Sequence, residues 1–171
     1  MDNFLVIFIK YFFPAIMVGI ILWDFFTMII PNGLNILLFV GFLGLAMMID
    51  MSLEDIGWHL LAAFLALAAG FAAFAFNLFG GGDAKSIAAA TAWFGWSTES
   101  IIFILLTAIL GGAFAIALIT IRSSGINLIL PAKIVDMKWV KSILVPEARM
   151  PYGVAIGAAG LIMYSPKVWL S

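Results

Sequence analysis

The segment IIFILLTAILGGAFAIALITI, residues 101–121, runs for 21 positions without one charged side chain. A helix of roughly 20 apolar residues rises about 30 Å, which is the thickness of the hydrocarbon layer of a bilayer. The whole chain has this character, because 65% of its 171 residues are hydrophobic and only 10% are charged. The sequence therefore predicts an integral membrane protein whose soluble surface is too small for a separate catalytic domain.

Apolar stretches bounded by polar residues, glycine or proline predict the other helices. The predicted helices cover residues 4–30, 34–49, 56–79, 84–96, 101–121 and 152–170. We expect an all-α membrane protein, a bundle of about six transmembrane helices, with residues 1–171 in a single transmembrane domain. The fourth helix rises only about 20 Å, so its crossing requires thin lipid or protection by neighbouring helices.

The distribution of basic residues predicts an orientation. If all six helices cross, the turn at Pro31, the turn at residues 80–83 and the segment 122–150 share one face of the membrane. That face holds six of the eight Lys and Arg residues, so the positive-inside tendency makes it cytoplasmic and places the N-terminus outside. Residues 131–145 of the basic segment 122–150 interleave lysines with apolar side chains, which fits an interfacial amphipathic helix and a solvated loop about equally.

The cysteine and histidine content limits the catalytic and metal-binding chemistry that is open to this chain. The chain has no cysteine and a single histidine, His59, which excludes disulfides, thiol nucleophiles and Cys or His metal clusters. We expect no metal, no cofactor and no nucleic-acid partner. His59 fits an interfacial position on the third helix without a catalytic role.

Two aspartates lie in or next to apolar segments, where a charged carboxylate is energetically unfavourable. Asp24 lies inside the first apolar run, and Asp83 follows three glycines at the entrance to the fourth helix. An ionisable group at membrane depth costs about 2.5 to 3.5 kcal/mol on insertion scales and usually faces a protein interior or a water-filled cavity. Each aspartate also has a structural explanation: Asp24 could reach water past Trp23, and Asp83 could cap the backbone N–H groups that begin a helix.

The same two aspartates could form a catalytic pair. Two carboxylates that face each other across a water molecule can hydrolyse a peptide bond, one accepting a proton from the water while the other donates a proton to the substrate. Like charges at close range resist joint ionisation, so such a pair shares a proton. The helix N-terminus and Lys85 both favour the charge of Asp83, so we expect Asp24 to hold the proton.

Short motifs surround both aspartates. Asp24 is followed after five residues by Ile30-Pro31-Asn32, and Asp83 stands in the run Gly-Gly-Gly-Asp-Ala-Lys at residues 80–85. These motifs, with the segment 151–155, resemble those of the type IV prepilin leader peptidases, which are membrane aspartyl proteases of the GxGD class. The resemblance covers essentially the whole chain. It implies that Asp24 and Asp83 are catalytic, and that the supporting residues are Gly80, Gly81, Gly82, Lys85, Ile30, Pro31 and Asn32.

One departure from the family pattern bears on the activity. Larger members carry a cytoplasmic loop with paired cysteines and also methylate the new N-terminus, whereas this chain has no cysteine. It therefore resembles the short peptidases of tight-adherence (Tad, Flp-type) pilus systems, and methyltransferase activity is not carried over. The resemblance implies a metal-independent enzyme of the bacterial inner membrane. Its substrate would be a prepilin or pseudopilin whose basic leader precedes an apolar helix, cleaved at the cytoplasmic face.

Other functions share part of this pattern. A proton-coupled transporter also uses membrane aspartates, but nearer the midplane and often in repeated halves, and no repeat is present. A non-catalytic pilus assembly component needs no converging aspartates. Presenilin-type and signal-peptide-peptidase-type proteases normally carry a Pro-Ala-Leu box, whereas Pro131-Ala132 here precedes Lys133. The archaeal preflagellin peptidase is the nearest alternative and differs mainly in organism and partner.

Overall fold

The architecture is helical throughout the described part of the chain. The computed structural model describes residues 3–77, 80–125, 131–135, 137, 140–141, 144 and 150–170. The helices are α1 Asn3–Thr27, α2 Asn32–Met48, α3 Leu53–Ala75, α4 Gly81–Phe94, α5 Thr98–Ser123, α6 Ala132–Val135, α7 Gly153–Met163 and α8 Lys167–Leu170. The all-α prediction is confirmed.

The long helices have the character of membrane spans. Among the described residues, α1, α3 and α5 are long and apolar enough to cross a membrane, while α2 and α7 are shorter apolar helices. Large apolar side chains of all three long helices point outward, since Ile7, Phe64 and Ile109 are each more than half exposed. Such a surface suits lipid as its solvent, so the chain is integrated in a membrane. The count of six crossings stays a prediction.

Helix α4 forms the centre of the bundle. Ten of its 14 residues are buried, and α2 and α3 both pack against it. Small side chains permit this, because a Cβ on Gly70 of α3 would lie 2.8 Å from the Cβ of Ala84. At the far end of α4, Trp93 Nε1 donates a hydrogen bond to the Leu38 carbonyl of α2 at 2.9 Å. A short helix is thus protected from lipid by its neighbours.

Helix α7 packs against α1 and α5. A Cβ on Gly157 would lie 2.8 Å from the backbone oxygen of Met17, so the two helix backbones approach closely at this point. Gly160, one turn further, faces the Met17 sulfur in the same way. These glycines allow the contact that brings the start of α7 to the end of α1.

The structure changes the ends of two predicted helices. α1 ends at Thr27 rather than at residue 30, because Met28 adopts a left-handed backbone with φ of 57°. The prediction of one helix over 152–170 was wrong: α7 ends at Met163, ahead of Pro166, whose ring and missing N–H disfavour a continuous helix. The first helix therefore ends one turn after Asp24. Most of the basic segment 122–150 lies outside the described residues.

Candidate active site

Asp24 lies in the last turn of α1 and faces the protein interior. Its side chain is only 4% exposed, whereas the neighbouring Trp23 is 55% exposed. The carboxylate accepts a hydrogen bond from the Gly153 backbone N–H, with 2.6 Å between Gly153 N and Asp24 Oδ2. A Cβ on Gly153 would lie 2.8 Å from that oxygen, so only glycine permits this approach. The interpretation of Asp24 as a carboxylate that reaches water past Trp23 was wrong.

Asp83 lies in the first turn of α4 and caps it. Its Oδ2 accepts a hydrogen bond from the Gly80 backbone N–H at 2.8 Å, and its own N–H donates to the Gly80 carbonyl at 3.1 Å. The structural explanation from the sequence, helix capping, is therefore confirmed. Capping leaves Asp83 buried, at 8% exposure, and close enough to Tyr152 for its charge to act on the phenol. A fixed, buried carboxylate is compatible with catalysis as well as with capping.

The Ile30 side chain packs against the segment next to each aspartate. A Cβ on Gly82, the residue before Asp83, would lie 3.5 Å from the Ile30 Cβ. A Cβ on Gly153, the hydrogen-bond donor to Asp24, would lie 2.9 Å from the Ile30 Cδ1. The buried Ile30 side chain thus packs between the backbone segments that hold the two carboxylates. Asp24 and Asp83 stand at the same end of the bundle, on either side of this side chain.

The Ile-Pro-Asn turn also contacts α4 directly. Pro31 adopts an extended backbone before α2, and Asn32 begins that helix. The Lys85 ammonium donates a hydrogen bond to Asn32 Oδ1 at 3.0 Å. Lys85 therefore joins the two motifs to each other.

One comparison with known proteins identifies a family for this chain. The sequence model of the type IV leader peptidase family matches residues 11–116, which include both aspartate motifs. The chain belongs to the type IV leader peptidase family. It is accordingly a membrane-integrated, leader-peptidase-like protease of the aspartic type. Neither a curated protein nor a solved structure matches the chain.

Two buried polar residues of this leader-peptidase-like site were not predicted from the sequence. Ser86 is fully buried and its hydroxyl donates to Asn35 Oδ1 at 2.7 Å, and Asn35 is itself only 5% exposed. The Ser86 hydroxyl also lies 3.1 Å from the Gly82 carbonyl oxygen, and Asn35 Nδ2 lies 3.5 Å from the same oxygen. The signal that could have found them is spacing, since Asn35 follows Asn32 by one helical turn and Ser86 follows Lys85.

Tyr152 is a further site residue that the sequence showed only as part of a motif. Its ring packs on α5 against Gly111, where a Cβ would overlap the ring. Its hydroxyl donates to the Thr107 carbonyl at 3.4 Å. Gly153 donates to Asp24, and the Asp83 charge acts on the Tyr152 phenol, so the start of α7 lies beside both aspartates.

A groove begins beside this site but does not contain the aspartates. It lies between α2, α3 and α4, has a volume of about 620 Å³, and its polar lining residues are Asn32, Asn35 and Lys85. The remaining lining side chains are apolar. Across the described residues, no cluster of three or more His, Cys, Asp or Glu side chains is placed to hold a metal ion.

Proposed function

We propose that this chain removes the basic leader peptide from Tad-type or Flp-type prepilins or pseudopilins, with Asp24 and Asp83 as its catalytic pair. The observation that carries the proposal is the placement of two buried carboxylates at one end of the bundle, on either side of Ile30. Buried carboxylates are costly in a membrane protein, so two that converge from different helices indicate a function rather than a packing role.

The geometry suits general acid and general base catalysis. Gly153 N–H and Gly80 N–H each hold one carboxylate oxygen, which fixes the direction in which each aspartate faces. One carboxylate takes a proton from a water molecule, the resulting hydroxide forms a bond to the scissile carbonyl carbon, and the other carboxylic acid donates its proton to the carbonyl oxygen. Breaking the C–N bond then releases the leader as an acid and the mature chain as an amine. As that bond breaks, the first aspartate donates its proton to the leaving nitrogen and the second takes a proton from a hydroxyl of the gem-diol, so both regain their starting protonation.

The substrate has to present an extended segment at this site. Amides inside a helix are shielded by their own hydrogen bonds, so the junction between the leader and the apolar helix unwinds before cleavage. We propose that α1 to α5 and α7 all cross the inner membrane, with the N-terminus outside and both aspartates at the cytoplasmic face. The concentration of Lys and Arg residues at the predicted site end supports this orientation.

The decisive test compares three isosteric substitutions. The chain is co-expressed with a prepilin precursor, and leader removal is followed on a gel for wild type, Asp24→Asn, Asp83→Asn and the control Asp50→Asn. Asp50 is exposed in the turn after α2, at the opposite end of the bundle. We expect processing to stop in the first two variants at normal membrane levels and to continue in the control.

Other outcomes would redirect the assignment. Processing that continues in Asp24→Asn or in Asp83→Asn would remove that residue from the pair. A wild-type chain that leaves every prepilin uncleaved, yet conducts or transports protons, would favour the transporter alternative.

A further inference from the structure

The groove between α2, α3 and α4 has the shape of a site for a long apolar chain. α2 and α3 form its walls through Ile36, Phe39, Phe64 and Leu67, and α4 supplies the floor through Ala88 and Ala89. The small floor residues allow an apolar chain to lie close to the α4 backbone. The rim is exposed to the surroundings of the bundle, since Ile36 and Phe64 are each more than 60% exposed. In a membrane this opening faces lipid.

One end of the groove carries a positive charge. Lys85 is the only charged residue among the described residues that line it, and no acidic side chain lines it. A lysine ammonium has three N–H donors, and Asn32 Oδ1 accepts one of them at 3.0 Å. The other two donors, with the Asn35 amide nearby, can bind the oxygens of an anion. The groove thus combines a cationic, hydrogen-bonding end with an apolar body.

We propose that this groove binds one anionic phospholipid, with its phosphate at Lys85 and an acyl chain over Ala88 and Ala89. Basic pockets between transmembrane helices bind anionic lipid headgroups for this reason. The positive charge of Lys85 favours an anionic lipid over a peptide with a basic leader, because the basic residues of the leader would be repelled by the Lys85 ammonium. Neither Asp24 nor Asp83 lines the groove, so the lipid site is separate from the catalytic pair.

The binding is measured on the full chain by native mass spectrometry. The protein is released from nanodiscs that contain equal amounts of phosphatidylglycerol and phosphatidylcholine with identical acyl chains, and the retained lipids are counted. We expect roughly fivefold more retained phosphatidylglycerol, the factor that one lysine near the headgroups contributes. Lys85→Met should abolish this preference. Lys167→Met, which removes an exposed lysine at the start of α8, should keep it.

A second variant tests the apolar body of the groove. Ala89→Leu adds three carbon atoms to the floor and should lower the retention of both lipids while the charge at Lys85 is unchanged. Lys85→Met changes an exposed side chain, so its result stands even if Ala89→Leu fails to fold.

Three results would overturn the lipid assignment. The first is equal retention of the two lipids by wild type, and the second is an unchanged preference in Lys85→Met. The third is displacement of phosphatidylglycerol by an apolar peptide with a basic leader, which would assign the groove to substrate. Because retained lipid is counted rather than cleavage, the outcome is independent of whether the chain processes prepilins.

Discussion

The hydrogen bond between Ser86 and Asn35 offers the sharpest test of how the second aspartate is positioned. Asn35 of α2 accepts from Ser86 of α4 at 2.7 Å, and both side chains reach the carbonyl of Gly82, the residue before Asp83. Substituting Asn35→Leu removes this link between the two motif-bearing helices and replaces the amide by an apolar side chain of similar size. We expect a large loss of activity with a small loss of stability.

The expected magnitudes follow from the contacts. After the substitution the Ser86 hydroxyl still has an acceptor, the Gly82 carbonyl at 3.1 Å, so it is not left buried without a partner. The cost is the hydrogen bond from Ser86 and the longer one from Asn35 Nδ2 to the Gly82 carbonyl at 3.5 Å. An interhelical hydrogen bond averages about 0.6 kcal/mol in a membrane bundle and reaches about 1.7 kcal/mol. The first turn of α4 is then less firmly held against α2. A displacement of about 1 Å at a catalytic group can reduce the rate ~100-fold.

The assay separates catalysis from packing. The kcat and KM for a synthetic prepilin are measured in detergent, and the free energy of unfolding is measured on the same samples. Trp93→Phe is the matched control, because it removes an α2–α4 hydrogen bond far from the aspartates, from Trp93 Nε1 to the Leu38 carbonyl, at the far end of α4. Trp93 is almost fully buried, so this control should cost at least as much stability.

We expect Asn35→Leu to lower kcat by about 10-fold to 100-fold with little change in KM, and Trp93→Phe to leave kcat near the wild-type value. Equal losses of kcat in the two variants would mean that the hydrogen bond acts through general stability alone. An unchanged kcat in Asn35→Leu would refute the positioning of Asp83 by this pair.

Three further predictions use glycine contacts and metal chelation. Gly153→Ala places a Cβ 2.8 Å from Asp24 Oδ2 and should abolish cleavage, with a loss of about 1–3 kcal/mol in unfolding free energy. The control Gly33→Ala, whose Cβ would have nothing within 4 Å, should leave the cleavage rate and the unfolding free energy nearly unchanged. An active Gly153→Ala would contradict the tight contact with Asp24. Gly157→Ala, whose Cβ would lie 2.8 Å from the Met17 backbone oxygen, should lower the unfolding free energy by about 1–3 kcal/mol, and a thermal shift near zero would argue against the α1–α7 packing. Prepilin cleavage by the purified enzyme should persist in excess EDTA, and a chelator-sensitive rate restored by added metal would disprove the metal-independent mechanism.

The helices and the motifs could be predicted from the sequence because both depend on neighbouring residues. A run of apolar side chains determines where a backbone must satisfy its own hydrogen bonds in lipid, so the segment 101–121 predicted most of α5. Proline and glycine likewise predicted the turn at Pro31 and the start of α4. The last helix was predicted only in part, because the break at Ser165, Pro166 and Lys167 is short and has apolar residues before and after it.

The partners of the site residues depended on tertiary structure. The hydrogen-bond donor to Asp24 is Gly153, 129 positions away, and the partner of Ser86 is Asn35, 51 positions away. Hydrophobic periodicity could not identify these contacts, since α1 is apolar on nearly every side and shows no distinct stripe for its packed face. By itself the sequence determined that Asp24 lies in a long apolar helix and that Asp83 lies near the start of another helix. Only the packing of α7 and α4 around Ile30 decided which way those carboxylates face, because the direction of a side chain on a uniformly apolar helix is set by its neighbours.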